Sequence, residues 1–208
     1  MAYLPEFLTV ALVHLLAATS PGPDFILVMR NSLAYSRNAG VYAALGLALG
    51  VLVHVTYSLV GIGLLISKSI LLFTVIKFLG AGYLVYIGYK SLRAQPKEVL
   101  AEKEGHGQLA RLAAVRMGFL TNVLNPKATL FFLALFTQVI SPATPKLIQA
   151  MYGLEMLLMT FAWFGIVATA LSHGAIKNRF LKVQRRLEQV FGVLLIAFGI
   201  KVALSSSK

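Results

Sequence analysis

The chain has no cysteine and few acidic residues, and both shortages exclude whole classes of chemistry. Its 208 residues include 0 Cys, 4 His and 7 Asp plus Glu, against 19 Lys plus Arg. Without cysteine there is no disulfide framework, no thiolate metal site and no thiol redox chemistry. The histidines are scattered, and a metal-binding protein would need clusters of carboxylate, imidazole or thiolate ligands. We therefore expect no metal site and no cofactor.

Charge of either sign is also scarce. Charged residues make up 12% of the chain and hydrophobic residues 58%, whereas soluble domains carry roughly 25% charged residues. Too little polar surface is left to cover a protein in water. The net charge of +12 does not indicate a nucleic-acid partner, because the basic residues cluster between apolar stretches as in membrane proteins. The chain is therefore predicted to be an integral membrane protein with lipid as its main partner.

Six stretches are long and apolar enough for a helix to cross a bilayer, which takes roughly 20 residues. Numbered as spans 1 to 6, they are 7–29, 40–66, 69–92, 115–140, 147–172 and 187–204. The segment Met1–Glu6 lacks the basic start of a cleavable signal, so span 1 is predicted to be retained. Six soluble buried helices would leave no amphipathic faces to meet water. We predict one multi-pass, all-α membrane domain over 1–208.

The distribution of Lys and Arg predicts how the chain is oriented. The connections after spans 1, 3 and 5 carry thirteen of these residues, and the opposite side carries four. Because basic residues concentrate in cytoplasmic connections, both termini are predicted to lie outside. The segment 94–114 contains the only long polar stretch, and we interpret it as a flexible cytoplasmic linker.

The two halves on either side of this linker, 1–93 and 115–208, are predicted to be inverted repeats of three helices. Span 1 is broken by Ser20–Asp24 and span 4 by Asn125–Lys127. Proline removes a backbone donor and collides with the preceding turn, and unwound backbone in a membrane must line protein or a wet cavity. Paired interruptions in inverted repeats indicate a transport site between the halves, although a simple kink is the alternative for either proline break.

Both breaks are also predicted to be helix starts. Ser20 and Asn125 each precede a proline, the pattern of an N-cap followed by proline at the first helical position. The free N–H groups and positive dipole ends there suit a carboxylate. Asp24 is favourable in such a first turn, but Lys127 is not and needs an anionic partner. We expect Asp24 to face Lys127 in the empty site. A zwitterionic substrate would then take the place of each as the other's partner, with its ammonium at Asp24 and its carboxylate at Lys127. A purely structural pair is the alternative.

Further ionisable residues inside the spans are functional candidates by default. Glu155 in span 5 is predicted to be a proton site or gate, with a hydrogen-bonded structural acid as the alternative. Trp163 lies two turns further on roughly the same face and is a candidate for substrate contact. His14 in span 1 is a weaker candidate.

Span 2 carries a stripe of mostly small residues at four-residue spacing, Gly46, Gly50, His54 and Ser58. Such stripes let membrane helices pack closely. His54 is therefore either a packing histidine or a proton relay. Asn122, one turn before the second break, is predicted either to line the cavity or to bond backbone freed by the proline.

The two breaks carry a resemblance to a known family. Ser20–Phe25, together with Gly118–Asn122 ahead of Asn125–Ala128, resembles the lysine exporter superfamily of bacterial amino-acid efflux proteins. Phe161–Phe164 looks like its homoserine/threonine-resistance branch, the threonine exporters especially. The resemblance implies export of small amino acids across the bacterial cytoplasmic membrane by proton antiport, often by a dimer. It also makes the break residues core positions, namely Pro21, Gly22, Pro23, Asp24, Asn125, Pro126 and Lys127.

The leading hypothesis is thus a secondary exporter, not an enzyme, whose repeats rock around a central site. A membrane enzyme has no nucleophile motif here, a scaffold does not need charges at both breaks, and a channel would want a ring of similar residues. The proton-coupling candidates are Asp24, Glu155 and His54. The predicted substrate-binding residues are Ser20, Pro21, Gly22, Pro23, Asp24, Asn122, Asn125, Pro126, Lys127 and Trp163.

Overall fold

The computed structural model describes residues 3–20, 22–68, 70–93, 109–141 and 143–171, with scattered residues between 186 and 204. Within residues 3–171 the described chain forms helices joined by short connections, and the described residues among 186–204 are helical as well. The helices are α1 Leu4–Thr19, α2 Pro23–Ala34, α3 Arg37–Lys68, α4 Ile70–Leu92, α5 Arg111–Val123, α6 Pro126–Gln138 and α7 Lys146–Leu171.

Two of these helices are long and apolar enough to cross a membrane by themselves. The crossing segments are Arg37–Val60 within α3 and Lys146–Ala170 within α7. The pairs α1–α2 and α5–α6 each bend by 58° at a short break, and each pair counts as one further crossing if it is a broken span. The all-helical class and the helix breaks within 7–29 and 115–140 are thereby confirmed for the described residues. For the described residues this gives up to four crossings, so the six-span inverted repeat stays a prediction.

The boundaries of α1 to α7 lie within about five residues of predicted spans 1 to 5. Helix α5 begins at Arg111, inside the segment 94–114 that we interpreted as a linker. The rest of that segment, up to residue 108, lies outside the described residues.

Helix α3 is the centre of the described bundle and packs against α2, α4, α5, α6 and α7. Glycines make its contact with α5 unusually close. A Cβ atom at Gly46 would collide with the Val115 carbonyl, and one at Gly118 would collide with the Ala43 carbonyl. The prediction that small residues of this stripe let α3 pack closely is confirmed, because backbone-to-backbone contact at these points leaves no room for a side chain.

Two clusters of buried apolar side chains flank the middle of the bundle. The first joins α1, α3, α4, α6 and α7, and the second joins α2, α3 and α7. Phe131 and Phe132 of the first cluster and Phe164 of the second all line one cavity. The core is therefore divided around a cavity, and both helix breaks open onto it.

Candidate functional site

The first break spans Ser20–Gly22, and its geometry corrects one prediction. Ser20 is the C-cap of α1, with extended backbone at φ −67° and ψ 122°. Gly22 is the N-cap of α2, which begins at Pro23. Ser20 was predicted to cap a helix starting at Pro21, and this is wrong. A residue before proline is driven out of the helical region, so neither Ser20 nor Gly22 can be helical and α2 can start only at the second proline. Pro21 itself lies outside the described residues.

The second break is a capped helix start, as predicted. Asn125 has extended backbone at φ −77° and ψ 109°, and Pro126 follows as the first residue of α6. The Asn125 side chain accepts a hydrogen bond from the Lys127 backbone N–H at 3.0 Å. This satisfies one of the free donors at the start of the helix.

The two breaks meet through Asp24, which stands in the first turn of α2 as predicted. One carboxylate oxygen accepts a hydrogen bond from the Asn122 amide at 2.8 Å, and the other accepts one from the Asn125 amide at 3.1 Å. Asn122 ends α5 and Asn125 caps α6, so both halves of the second break hold the anion of the first. Hydrogen bonds to an ionised group are about twice as strong as neutral ones.

Lys127, the charged residue of the second break, is in turn held by groups of the first break. Its ammonium donates to the main-chain carbonyls of Ser20 at 3.1 Å and Ala17 at 3.5 Å, at the C-terminal end of α1. This end carries the negative partial charge of the helix dipole. A helix end therefore supplies part of the negative charge that Lys127 needs. Asp24 and Lys127 line the same cavity and interact electrostatically, while the hydrogen bonds described above lead to other groups.

The cavity between the breaks has an empty volume of about 490 Å³, including its mouth. The wall combines the two charged side chains with polar and aromatic groups, so it can recognise both ends of a small charged molecule. It is lined by His14, Ala17, Ala18, Ser20, Gly22, Asp24, Val51, Asn122, Asn125, Lys127, Ala128, Phe131, Phe132, Thr160 and Phe164.

His54 of α3 lies directly behind this wall and touches the second break. Its Nε2 lies 3.0 Å from the Asn122 carbonyl, and its Nδ1 lies 2.8 Å from the Tyr57 hydroxyl. That hydroxyl also lies 3.2 Å from the Thr129 carbonyl of α6. The imidazole stacks on Phe132 with ring centroids 5.1 Å apart. His54 is thus both a packing residue and a link from the break to α6.

Comparison with known proteins places this chain in a family. The family model described as "LysE type translocator" matches residues 15–206. The chain belongs to the LysE-type translocator family. It is therefore a transporter and not an enzyme, which confirms that prediction.

Several relatives of this translocator match over nearly their full length. The threonine efflux protein of Escherichia coli is 33% identical over 96% of this chain and 98% of its own. The homoserine/homoserine lactone efflux protein of Salmonella typhimurium is 30% identical over 92% of this chain and 93% of its own. An uncharacterized membrane protein of Bacillus subtilis is 31% identical over 99% of this chain and 98% of its own. No solved structure matches the chain.

Some residues predicted for the translocator's site lie elsewhere in the described structure. Trp163 is half-buried against the second apolar cluster, and its neighbour Phe164 lines the cavity instead. Pro23 begins α2 but is exposed. Glu155 of α7 is half-buried away from the cavity wall, and within the described chain its carboxylate has no hydrogen-bond partner. Of Pro126 only the backbone is described.

Sequence reasoning gave too little weight to part of the wall. His14 was only a weak candidate, and Thr160 was not predicted, yet their side chains meet at 3.3 Å on the cavity surface. Helix periodicity could have found more, because residues three and four apart share a face. His14 shares its face with Ala17 and Ala18, and Phe131 follows Lys127 by one turn.

Proposed function

We propose that this translocator exports small amino acids of the threonine or homoserine type from the cytoplasm. The observation that carries the proposal is that Asp24 and Lys127, from two different helix breaks, line one cavity. The similarity to a threonine efflux protein and to a homoserine/homoserine lactone efflux protein supports the same substrate class. A zwitterion offers one opposite charge to each of these side chains.

The hydrogen-bond partners described for both charges are uncharged, so each charge can still take a charged partner from the substrate. Asp24 is held by two amides and Lys127 by main-chain carbonyls. A substrate ammonium at Asp24 and a substrate carboxylate at Lys127 would each form a stronger, charge-assisted bond. The N-terminal ends of α2 and α6 add N–H groups that favour the carboxylate. Binding thus adds charge-assisted contacts at both breaks, at side chains that the described hydrogen bonds already orient.

Transport proceeds in this proposal by alternating access in the bacterial cytoplasmic membrane. The halves 1–93 and 115–208 rock against each other about the site, with 94–114 as the cytoplasmic linker and both termini outside. The equal 58° bends of the two broken helix pairs support a common design of the two halves. A homodimer is the proposed assembly.

Proton antiport is the proposed energy source, with His54 as the leading coupling residue. The Asn122 carbonyl can only accept, so His54 Nε2 carries a proton. When Nδ1 is bare, the Tyr57 hydroxyl must donate to it. When Nδ1 is protonated it donates to Tyr57, whose own proton is then available to the Thr129 carbonyl. Protonation therefore ties α3 to α6.

Other charged groups act on the same imidazole. Asp24 interacts with it electrostatically from α2 and accepts a hydrogen bond from the Asn122 side chain, while the main-chain carbonyl of Asn122 contacts His54. Lys127 on α6 interacts in turn with Asp24. A proton on His54 and an ammonium at Asp24 repel each other, which is the relation that antiport requires. Glu155 and Asp24 itself are the alternative proton sites.

Uptake of labelled threonine into proteoliposomes tests the proposal, first as counterflow without a gradient and then with a pH gradient. We expect Asp24→Asn and Lys127→Met to abolish both activities. Lys146→Met is the control, because Lys146 is an exposed lysine at the start of α7. Wild-type rates in both Asp24→Asn and Lys127→Met would refute the proposed site. Flux that neither saturates nor exchanges would favour a channel.

The coupling step has its own variants. Tyr57→Phe removes only the hydroxyl, and His54→Phe keeps a ring to stack on Phe132. Both are expected to retain counterflow and to lose accumulation driven by the gradient. Glu155→Gln is expected to keep both. If Glu155→Gln uncouples transport and Tyr57→Phe does not, the proton site is Glu155.

A further inference from the structure

His14 lines the cavity and carries a buried polar atom that nothing in the described chain satisfies. The side chain is 4% exposed, and its Nδ1 has no hydrogen-bond partner among the described residues. Its other nitrogen, Nε2, lies 3.3 Å from the Thr160 hydroxyl of α7. Buried polar groups are nearly always paired, and an unpaired one is destabilising. A group that enters the cavity and pairs with Nδ1 would remove this penalty.

The position of His14 corresponds to the side-chain end of a bound amino acid. Ser20, whose carbonyl binds Lys127, lies six residues further along the chain, which is roughly 9 Å along a helix at 1.5 Å per residue. Between them, Ala17 and Ala18 line the cavity with the smallest side chains of the helix. A substrate with its charged groups at the breaks would extend past these alanines toward His14.

The surroundings of His14 restrict which side chain fits. The rings of Phe131 and Phe132 lie 6.1 and 6.0 Å from the imidazole, centroid to centroid. Asp24 and Lys127 are the charged residues of the described cavity wall, and the substrate's own amino and carboxyl groups engage them. A second charge on the substrate would thus meet aromatic rings without a counter-charge. The wall favours a small neutral side chain.

A hydroxyl is a small neutral group that satisfies His14 in either of its forms. If Thr160 donates to Nε2, then Nδ1 carries the proton and needs an acceptor. If Nε2 donates to Thr160, then Nδ1 needs a donor. A hydroxyl is both donor and acceptor, whereas a methyl group of the same size is neither.

We infer that His14, oriented by Thr160, selects substrates that carry a side-chain hydroxyl. This inference rests on the proposed function and deepens it. Asp24 and Lys127 recognise the amino-acid head common to all candidates, and His14 distinguishes among side chains. Threonine and valine are the matched probes, because they have nearly the same shape and differ by a hydroxyl and a methyl group.

The test is threonine counterflow in proteoliposomes with unlabelled threonine or valine as competitor. A site built to bond a hydroxyl rejects the analogue that lacks it strongly, so the wild type is expected to prefer threonine by at least about tenfold. His14→Leu should bring the ratio close to one by weakening threonine and not valine. Thr160→Val should lower it less, and His14→Gln, which keeps a hydrogen-bonding group, should retain part of it. Leu12→Ala on the exposed face of α1 is the control and should keep the wild-type ratio.

The possible failures can be told apart. Equal weakening of threonine and valine in His14→Leu would mean that His14 only supports the fold, and the inference would be overturned while export stands. A wild type that prefers valine or ignores the hydroxyl would overturn it as well. If the wild type exchanges neither amino acid, the proposed function fails and the inference fails with it.

Discussion

Replacing Gly50 by alanine would test whether close packing behind the site positions its carboxylate. Gly50 of α3 faces Asn122, and a Cβ atom at Gly50 would lie 2.7 Å from the Asn122 Oδ1 and 2.8 Å from its Cβ. Carbon atoms in contact normally stand roughly 3.5–4.0 Å apart, so Asn122 would have to move by about 1 Å. The same side chain donates the 2.8 Å hydrogen bond to Asp24.

The expected magnitude follows from these contacts. Overpacking of this kind typically destabilises by about 1–3 kcal/mol, and a hydrogen bond to a charged group contributes about 1.5–3 kcal/mol. Without the Asn122 bond, Asp24 keeps a single amide partner among the two described and loses its fixed orientation. Because about 1.4 kcal/mol corresponds to a factor of ten in affinity, we expect Gly50→Ala to weaken threonine binding by about 10- to 100-fold.

The assay is threonine concentration dependence in counterflow, together with thermal unfolding in detergent. Gly165→Ala and Gly82→Ala are matched controls, because a Cβ at either position meets no atom within 4 Å. Gly46→Ala differs in kind, since its Cβ would collide with the backbone of α5, and it should lower the yield of folded protein. Wild-type threonine affinity in a folded Gly50→Ala variant would refute the argument that this contact positions Asp24.

Two further changes separate stability from binding. Asn125→Ala removes the α6 cap and one amide from Asp24, so it should lower both the unfolding temperature and the affinity for threonine. Asn125→Asp should restore the cap, which contributes about 0.5–2 kcal/mol of stability. It should not restore the affinity for threonine, because a second carboxylate would face Asp24. An Asn125→Asp variant with wild-type affinity would contradict this reasoning. Thr144→Val removes the hydroxyl that donates a hydrogen bond to the Glu6 carboxylate at 3.0 Å. We expect thermal destabilisation by about 1 kcal/mol and unchanged threonine counterflow. Impaired transport would instead place this contact in the mechanism.

The helix breaks were predictable because proline acts on its immediate neighbours. The Asn125–Pro126 start was placed correctly, since one proline leaves one place for the helix to begin. At the first break the prolines stand two residues apart, and the first of them was taken as the helix start. The restriction on residues before proline, applied to Gly22 as well as Ser20, would have given the correct boundary.

The contacts of the site were harder to predict because most of them join distant parts of the chain. The partners of Lys127 include main-chain carbonyls of α1, and a sequence does not show which helix end a lysine will reach. His14 and Thr160 are 146 residues apart, and neither belongs to a motif. The residues of the breaks could be named as site residues, while their pairing depended on how α1, α2, α5 and α6 meet.

The pairing matters because it makes each break dependent on the other. Gly22 has no side-chain cap to offer α2, and Asp24 relies on amides from α5 and α6, while Lys127 relies on carbonyls of α1. In the proposed cycle the breaks cannot separate without leaving a buried charge unpaired, which is strongly destabilising. A zwitterion at the site, or a proton that neutralises Asp24, would remove that penalty. Separation of the halves would then require an occupant, and this requirement is what couples movement of the protein to movement of its cargo.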